Sequence, residues 1–472
     1  MSNSKITTKL SKIYFSIIFF ATFITIIYSI FRGVNKYNFY ILIFINLTSL
    51  FYLILKNNEK RIIYFCSHLS VIISIFFLNF FCEIFFTSYK LQENPFNRAE
   101  YYISKGWEWD NRNKKNFIDD LKKELKNENI FTNSNYRYVI PHDGNNDYID
   151  FAGENFTFAL SNVSNSLIVQ CKEHGTWEYW KSDKYGFNNP ENIYKFKNEY
   201  IIVLGDSFVE GSCVKRGKDF SNQLRNYNYN VLNLGRAAGG VIYSNAIYRE
   251  YKGYIKGKIP DYVFLMLYGA NDLDDTLRET NVPIIKNYYY DQKFNKNLIN
   301  KQKKIDKYWK NFLNNVYNDQ NYGKLKEKEN KRIAEKFKRQ ENSKKLLVRV
   351  IKLNFLRTNL INIIERSTEE KKKLELLKNS LQKLRNEVEK SSKFVVVYLP
   401  NHQELFSNDT RIYSRIKKVF KDISLDYIDG YEKFKKTNFK NFYNLELPGH
   451  YNEAGYDYLA KIVHEYLENN KN

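Results

Sequence analysis

The first ninety residues carry three long runs without a charged side chain, Ile13 to Phe31, Tyr37 to Leu55 and Ile62 to Cys82, separated by short basic stretches. Each is about twenty residues, the length a helix needs to cross ~30 Å of hydrocarbon. The pattern predicts a membrane segment of three transmembrane helices over residues 1–90. After it the pattern changes to short apolar runs with polar, helix-period stretches between them. Tyr200 to Leu204, Tyr229 to Leu234, Tyr262 to Tyr268, Phe394 to Leu399 and Leu425 to Ile428 read as strands buried on both faces. Strands alternating with helices predict an α/β domain built on a doubly wound, parallel, five-stranded sheet over residues 196–472. Residues 91–195 read as a lead-in segment packing on that domain, with a helix over Asn113 to Asn127 and a strand over Leu167 to Cys171. Within it, the turn-rich stretch Ser182 to Pro190 precedes the first core strand.

An insertion interrupts the alternation between about residues 275 and 370. Lys301 to Asn314 and Lys324 to Lys345 are helical and highly charged, and Leu346 to Ile364 is more apolar. Lys371 to Lys390 is the expected crossover helix, with Leu374, Leu376, Leu377, Leu381 and Leu384 on its apolar stripe.

The charge is large but concentrated in one segment. The formal net charge is +22, yet Asp291 to Lys345 alone holds 17 Lys or Arg against 7 Asp or Glu. No zinc-finger, helix-turn-helix or RNA-binding fingerprint accompanies it, so nucleic acid is not an expected partner. The insertion's lysines are read as a solvated face, or as a contact for anionic lipid or an acidic polysaccharide. Lysines before span one, with basic residues after spans one and two, place the N-terminus in the cytoplasm. Three spans then put the rest of the chain on the outer face, periplasmic or extracellular. Cys171 and Cys213 are the only cysteines outside the membrane runs. Two readings stand for them, a disulfide in an exported domain or two unpaired buried thiols. No Cys/His cluster has zinc-ligand spacing, and no metal or cofactor is expected.

The chemistry gathers where core strands end. Ile201-Ile-Val-Leu-Gly-Asp-Ser-Phe208 empties a buried strand into a turn that presents Ser207, the candidate nucleophile, at the start of a helix. Val231 to Gly235 offers the Gly235 N–H, and Gly269-Ala-Asn-Asp272 offers the Asn271 amide, as further oxyanion donors. Gly449-His450-Tyr-Asn-Glu places a general base just before the last helix. Asp206 and Asp272 are read as bracing their loops. His402 is a rival base with a plain reading as a solvated loop residue.

Ser207, Gly235, Asn271 and His450, in that order, resemble the four marker residues of the SGNH (GDSL-type) hydrolase superfamily, over residues 195–290 and 390–470. The resemblance implies a flavodoxin-like SGNH fold, a Ser–His mechanism through an acyl-serine, and a three-donor oxyanion hole. It also implies an aspartate two or three residues before the histidine, where this chain has Pro448 and Leu447. Losing such an acid costs serine proteases about four orders of magnitude in rate. Three readings stand: Glu446 takes the acid's place, a backbone carbonyl holds the imidazole, or the site is degenerate.

The sequence therefore predicts a membrane-embedded serine esterase acting on acyl esters outside the cytoplasm. The alternative with the same residues is an O-acyltransferase of a cell-surface glycan. The alternative of another class is a catalytically inactive protein that binds a glycan or a partner. Substrate and oligomeric state are not specified.

Overall fold

The computed structural model describes residues 9, 11–23, 46–91, 98–134, 160–195, 200–253, 255, 257–318 and 354–470. The chain divides into two units, residues 1–96 with 328–368, and residues 97–327 with 369–472.

In the first unit a helix runs over Asn58–Leu91. The Asn57 carboxamide starts it by accepting the N–H groups of Glu59 and Lys60 at 2.8 and 3.2 Å. Its stretch Asn58–Cys82 is long and apolar enough to cross a membrane. Among the described residues it is one such helix, where three were expected. The first expected span appears as the shorter apolar helix Ser11–Phe23, and its remainder to Phe31 lies outside the described residues. The second is described only from residue 46. Polar side chains join these pieces: the Asn46 amide donates to the Phe19 carbonyl and to Thr22 Oγ1, both at 2.9 Å.

The second unit contains both sheets. Strands β1 (Ile130–Thr132), β2 (Leu167–Cys171) and β3 (Glu178–Lys181) form a small sheet, β1 parallel and β3 antiparallel to β2. The helix Lys114–Leu125 covers it, burying Phe117, Ile118 and Leu121 against Ile130 and Val169. Asn113 caps that helix by accepting the Asn116 N–H at 2.9 Å. The lead-in thus has its own sheet and belongs to the same unit as the larger one.

The larger sheet holds β4 (Ile201–Leu204), β5 (Val231–Asn233), β6 (Tyr262–Tyr268), β7 (Lys393–Leu399) and β8 (Tyr427–Asp429) in the order β5-β4-β6-β7-β8, all parallel. The order is that of a flavodoxin-like sheet, which reverses direction between β4 and β6 and opens a crevice at their carboxyl ends. Residues 201–204 and 263–267 are wholly buried, as helices on both faces require. Three strands are shorter than their apolar runs, β4 by the single residue Tyr200, whose N–H goes to Asp261 Oδ2 at 2.9 Å. β5 begins only after a turn at Asn228 (φ 66), and Leu425 is held in the cap of the preceding helix by its N–H bond to the Phe420 carbonyl. The insertion supplies the helix Gln302–Asn318 and the first half of Asn354–Val388, whose second half is the expected crossover helix, with Leu377, Leu381 and Leu384 fully buried. The expected helix over Lys324 to Lys345 lies outside the described residues.

Candidate active site

Strand β4 runs into Gly205, whose φ of 149° and close approach to Val209 and the Met266 carbonyl leave no room for a Cβ. Asp206 then caps the short helix Ser207–Glu210, its Oδ1 accepting the Phe208 N–H at 2.9 Å. Ser207 stands at the first helical position. Asn188 braces this turn from behind by donating to the Glu210 carbonyl at 3.0 Å, and Asn189 donates to the Asn233 carbonyl at the end of β5 at 2.9 Å. The stretch Ser182 to Pro190 therefore supports the strand ends from which the site is built.

His450 reaches Ser207 from the loop before the helix Glu453–Asn469, which Asn452 caps at the Gly455 N–H. Its Nε2 lies 2.8 Å from Ser207 Oγ. On the other side, Nδ1 lies 3.0 Å from Glu173 Oε2, and the His450 backbone N–H donates to the same oxygen at 2.9 Å. This pairing puts the proton on Nδ1 and leaves the Nε2 lone pair for the hydroxyl. Glu173 comes from the β2–β3 connection. Gly449 lets it approach, since a Cβ there would meet Glu173 Oε2 at 2.5 Å. Arg98 ties the two loops together, donating to the Glu173 carbonyl at 3.2 Å and to the Pro448 carbonyl.

The electrostatics fit an acid–base pair. Burial alone lowers the basicity of the His450 imidazole, but the charge and hydrogen bond of Glu173, with Asp206 farther off, outweigh it and raise its pKa above the ordinary value. Burial pushes the Glu173 carboxyl up, yet the charge and hydrogen bonds of His450 and the charge of Arg98 win, holding it down at about 2.

Glu446 does not fill the acid's position. It sits on an exposed turn, paired with Lys440 at 3.2 Å, and its carbonyl accepts from His402 Nε2 at 2.8 Å. A backbone-carbonyl dyad is likewise not what forms, because a carboxylate occupies Nδ1. His402 stacks on Phe406, with ring centroids 4.0 Å apart, and serves as a loop residue. Glu173 was missed because it lies 277 residues from His450 in sequence. The signal was present in the cysteines. Cys171 and Cys213 are disulfide-bonded, and Glu173 is the acid two residues beyond that bridge. The bridge ties β2 to the segment after the nucleophile helix, and Cys213 Sγ lies 3.3 Å from His450 Nδ1.

The oxyanion donors differ from expectation. The Gly235 N–H is spent on Asn233 Oδ1 at 2.8 Å. Its missing side chain serves packing instead, since a Cβ would collide with the backbone of Val209 and Glu210. Ala238, at φ 64°, lines the cleft, and its N–H takes part in no hydrogen bond among the described residues. Ser207 N–H is equally uncommitted. Asn271 lines the cleft, but its amide donates to Asp275 at 2.7 Å and to Asp206 at 3.3 Å. Asp206 and Asp272 do brace their loops: Asp272 Oδ2 accepts the Tyr268 N–H at 2.8 Å. Burial raises the pKa of both carboxyls, and their mutual repulsion adds to the rise at Asp272.

Cys171, Glu173, Cys213 and His450 bring four ligand-type atoms within 4.8 Å of one another. The two sulfurs are bonded to each other and the other two groups are paired, so the cluster offers no thiolate to a metal. The cleft above Ser207 has a volume of about 550 Å³. No family model matches the chain, and no curated protein matches it in sequence.

Proposed function

We propose that the chain is an SGNH-type serine esterase, held at a membrane by its N-terminal segment, with its catalytic unit on the outer face. The single observation that carries the reading is the continuous hydrogen-bonded chain from Ser207 Oγ through His450 to Glu173. His450 Nε2 takes the hydroxyl proton as Oγ attacks an acyl carbonyl. The negative oxygen that forms meets the Ser207 and Ala238 N–H groups, and the Asn271 amide once it turns from its carboxylates. Each such donor is typically worth about 2.7 to 4 kcal/mol. His450 returns its proton to the departing alkoxide, leaving an acyl-serine. Water then attacks as His450 takes its proton, and the acid is expelled as Ser207 Oγ recovers that proton from His450. The carboxylate in the acid's position supports chemistry over inert binding. The disulfide supports an oxidising compartment, as export requires.

Transfer is favoured by one feature. The cleft is far larger than a short acyl group, so a saccharide hydroxyl fits as acceptor in place of water. Purified full-length protein in detergent, given 4-nitrophenyl acetate with and without an oligosaccharide acceptor, tests both. Free acetate that disappears with Ser207→Ala supports the esterase, and an acetylated oligosaccharide supports the transferase. Neither product from folded protein would refute the reading.

A further inference from the structure

The cleft that holds Ser207 also holds two lysines that the proposed chemistry does not use. Lys172 lies against the rings of Trp109 and Trp177, 5.2 and 5.0 Å from their centroids. Its ammonium donates to the Asp110 and Arg112 carbonyls at 2.7 and 2.9 Å. Lys114 lies 5.5 Å from the same Trp177 centroid and donates to the Gln170 carbonyl at 2.7 Å and to Thr132 Oγ1 at 3.3 Å. Each ammonium thus has two neutral acceptors and one hydrogen left over.

Neither has a carboxylate partner among the described residues, and the nearest carboxylates are committed elsewhere. Glu210 is held by Arg236 at 2.6 Å, by Asn162 at 3.0 Å, by Gln170 at 2.5 Å and by the Ala237 N–H at 3.1 Å. Asp110 is gripped by Arg112 at 2.7 Å. Two like charges around one aromatic ring repel each other, and an anion placed between them relieves that repulsion. Burial brings the Lys114 pKa down to about 8, only partly opposed by Glu210, so it is still cationic at neutral pH.

The rest of the lining narrows the ligand further. Among the described residues it sets Asn133, Gln170, Ser212 and Asn271 beside the rings of Trp177, Phe208 and Tyr268, with no Leu, Ile, Val or Met. Such a wall offers hydrogen bonds to hydroxyls and flat ring faces to a saccharide.

We infer that the cleft takes an anionic, hydroxyl-rich molecule, an acidic saccharide bearing or receiving a short acyl group, with Lys114 and Lys172 holding its carboxylate or phosphate. This rests on the reading of the cleft as the ester-processing site, but its test does not need catalysis. Full-length Ser207→Ala protein in detergent is titrated calorimetrically with trigalacturonate, with glucose 6-phosphate and with neutral maltotriose. Trigalacturonate or glucose 6-phosphate binds at least about tenfold tighter than maltotriose, and more salt weakens it. The stronger of the two tells a uronate from a phosphate. Lys114→Gln and Lys172→Gln each weaken anion binding about tenfold, whereas Lys172→Arg, which keeps the charge, retains most of it. Thermal melts confirm that each variant is folded. Equal binding of anionic and neutral saccharides, no binding of either anion, or anion binding untouched by both glutamine variants in folded protein overturns the proposal.

Discussion

Glu173 holds His450 through a single carboxylate oxygen, which accepts both the ring Nδ1–H at 3.0 Å and the backbone N–H at 2.9 Å. The acid thereby fixes the tautomer and the loop at once. Glu173→Gln is expected to lower kcat by about three to four orders of magnitude, by analogy with loss of a serine-protease triad acid. Glu446→Gln, on an exposed turn, is expected to stay near wild type. Steady-state kinetics on one chromogenic ester compare the two.

The same contact sets a pH dependence. Catalysis needs neutral His450, whose pKa is raised above 6.5 despite burial because Glu173 stabilises the charged ring. The acidic limb of kcat/KM therefore lies above the ordinary histidine value. Removing the carboxylate in Glu173→Gln leaves burial dominant, so the limb of the residual activity moves to lower pH. A limb that stays in place or moves upward counts against the pairing.

The bridge between Cys171 and Cys213 closes a separation of 42 residues. In the chain-entropy picture it contributes about 4 kcal/mol to stability. Since Glu173 follows Cys171 by two residues, Cys171→Ser is expected to lower kcat as well as the melting temperature. Denaturation and kinetics on the same sample separate the two effects.

Ala238 offers the uncommitted N–H at the cleft that was expected of Gly235, and Gly235 serves packing instead. Gly235→Ala pushes a methyl group into the backbone of Val209 and Glu210 and is expected to cost about 1 to 3 kcal/mol. Ala238→Gly relieves a left-handed backbone at φ 64° and is expected to stabilise by up to about 1 kcal/mol. Thermal melts of the two variants should move in opposite directions.

The larger sheet was legible because strands buried on both faces leave uninterrupted apolar runs, and β6 has the limits its run defines. Turn chemistry at Asn228 and the helix cap at Leu425 shortened β5 and β8, and neither is visible in hydrophobicity. Ser207 and His450 were legible because each sits at a fixed place beside a strand or helix end. Glu173 was not, since a tertiary contact across 277 residues leaves no pattern around His450, and the one pointer to it was its place two residues beyond the bridging Cys171. Gly235 was misassigned because its N–H is used locally by Asn233, a choice set by the loop's path.

The most direct test is the rate at which a fluorophosphonate modifies the full-length protein, with the site found by peptide mass spectrometry. A single adduct on Ser207 is expected, formed much more slowly in Glu173→Gln and absent in Ser207→Ala and His450→Ala. An adduct on another residue, or equal labelling of Ser207 when His450 is alanine, would contradict it.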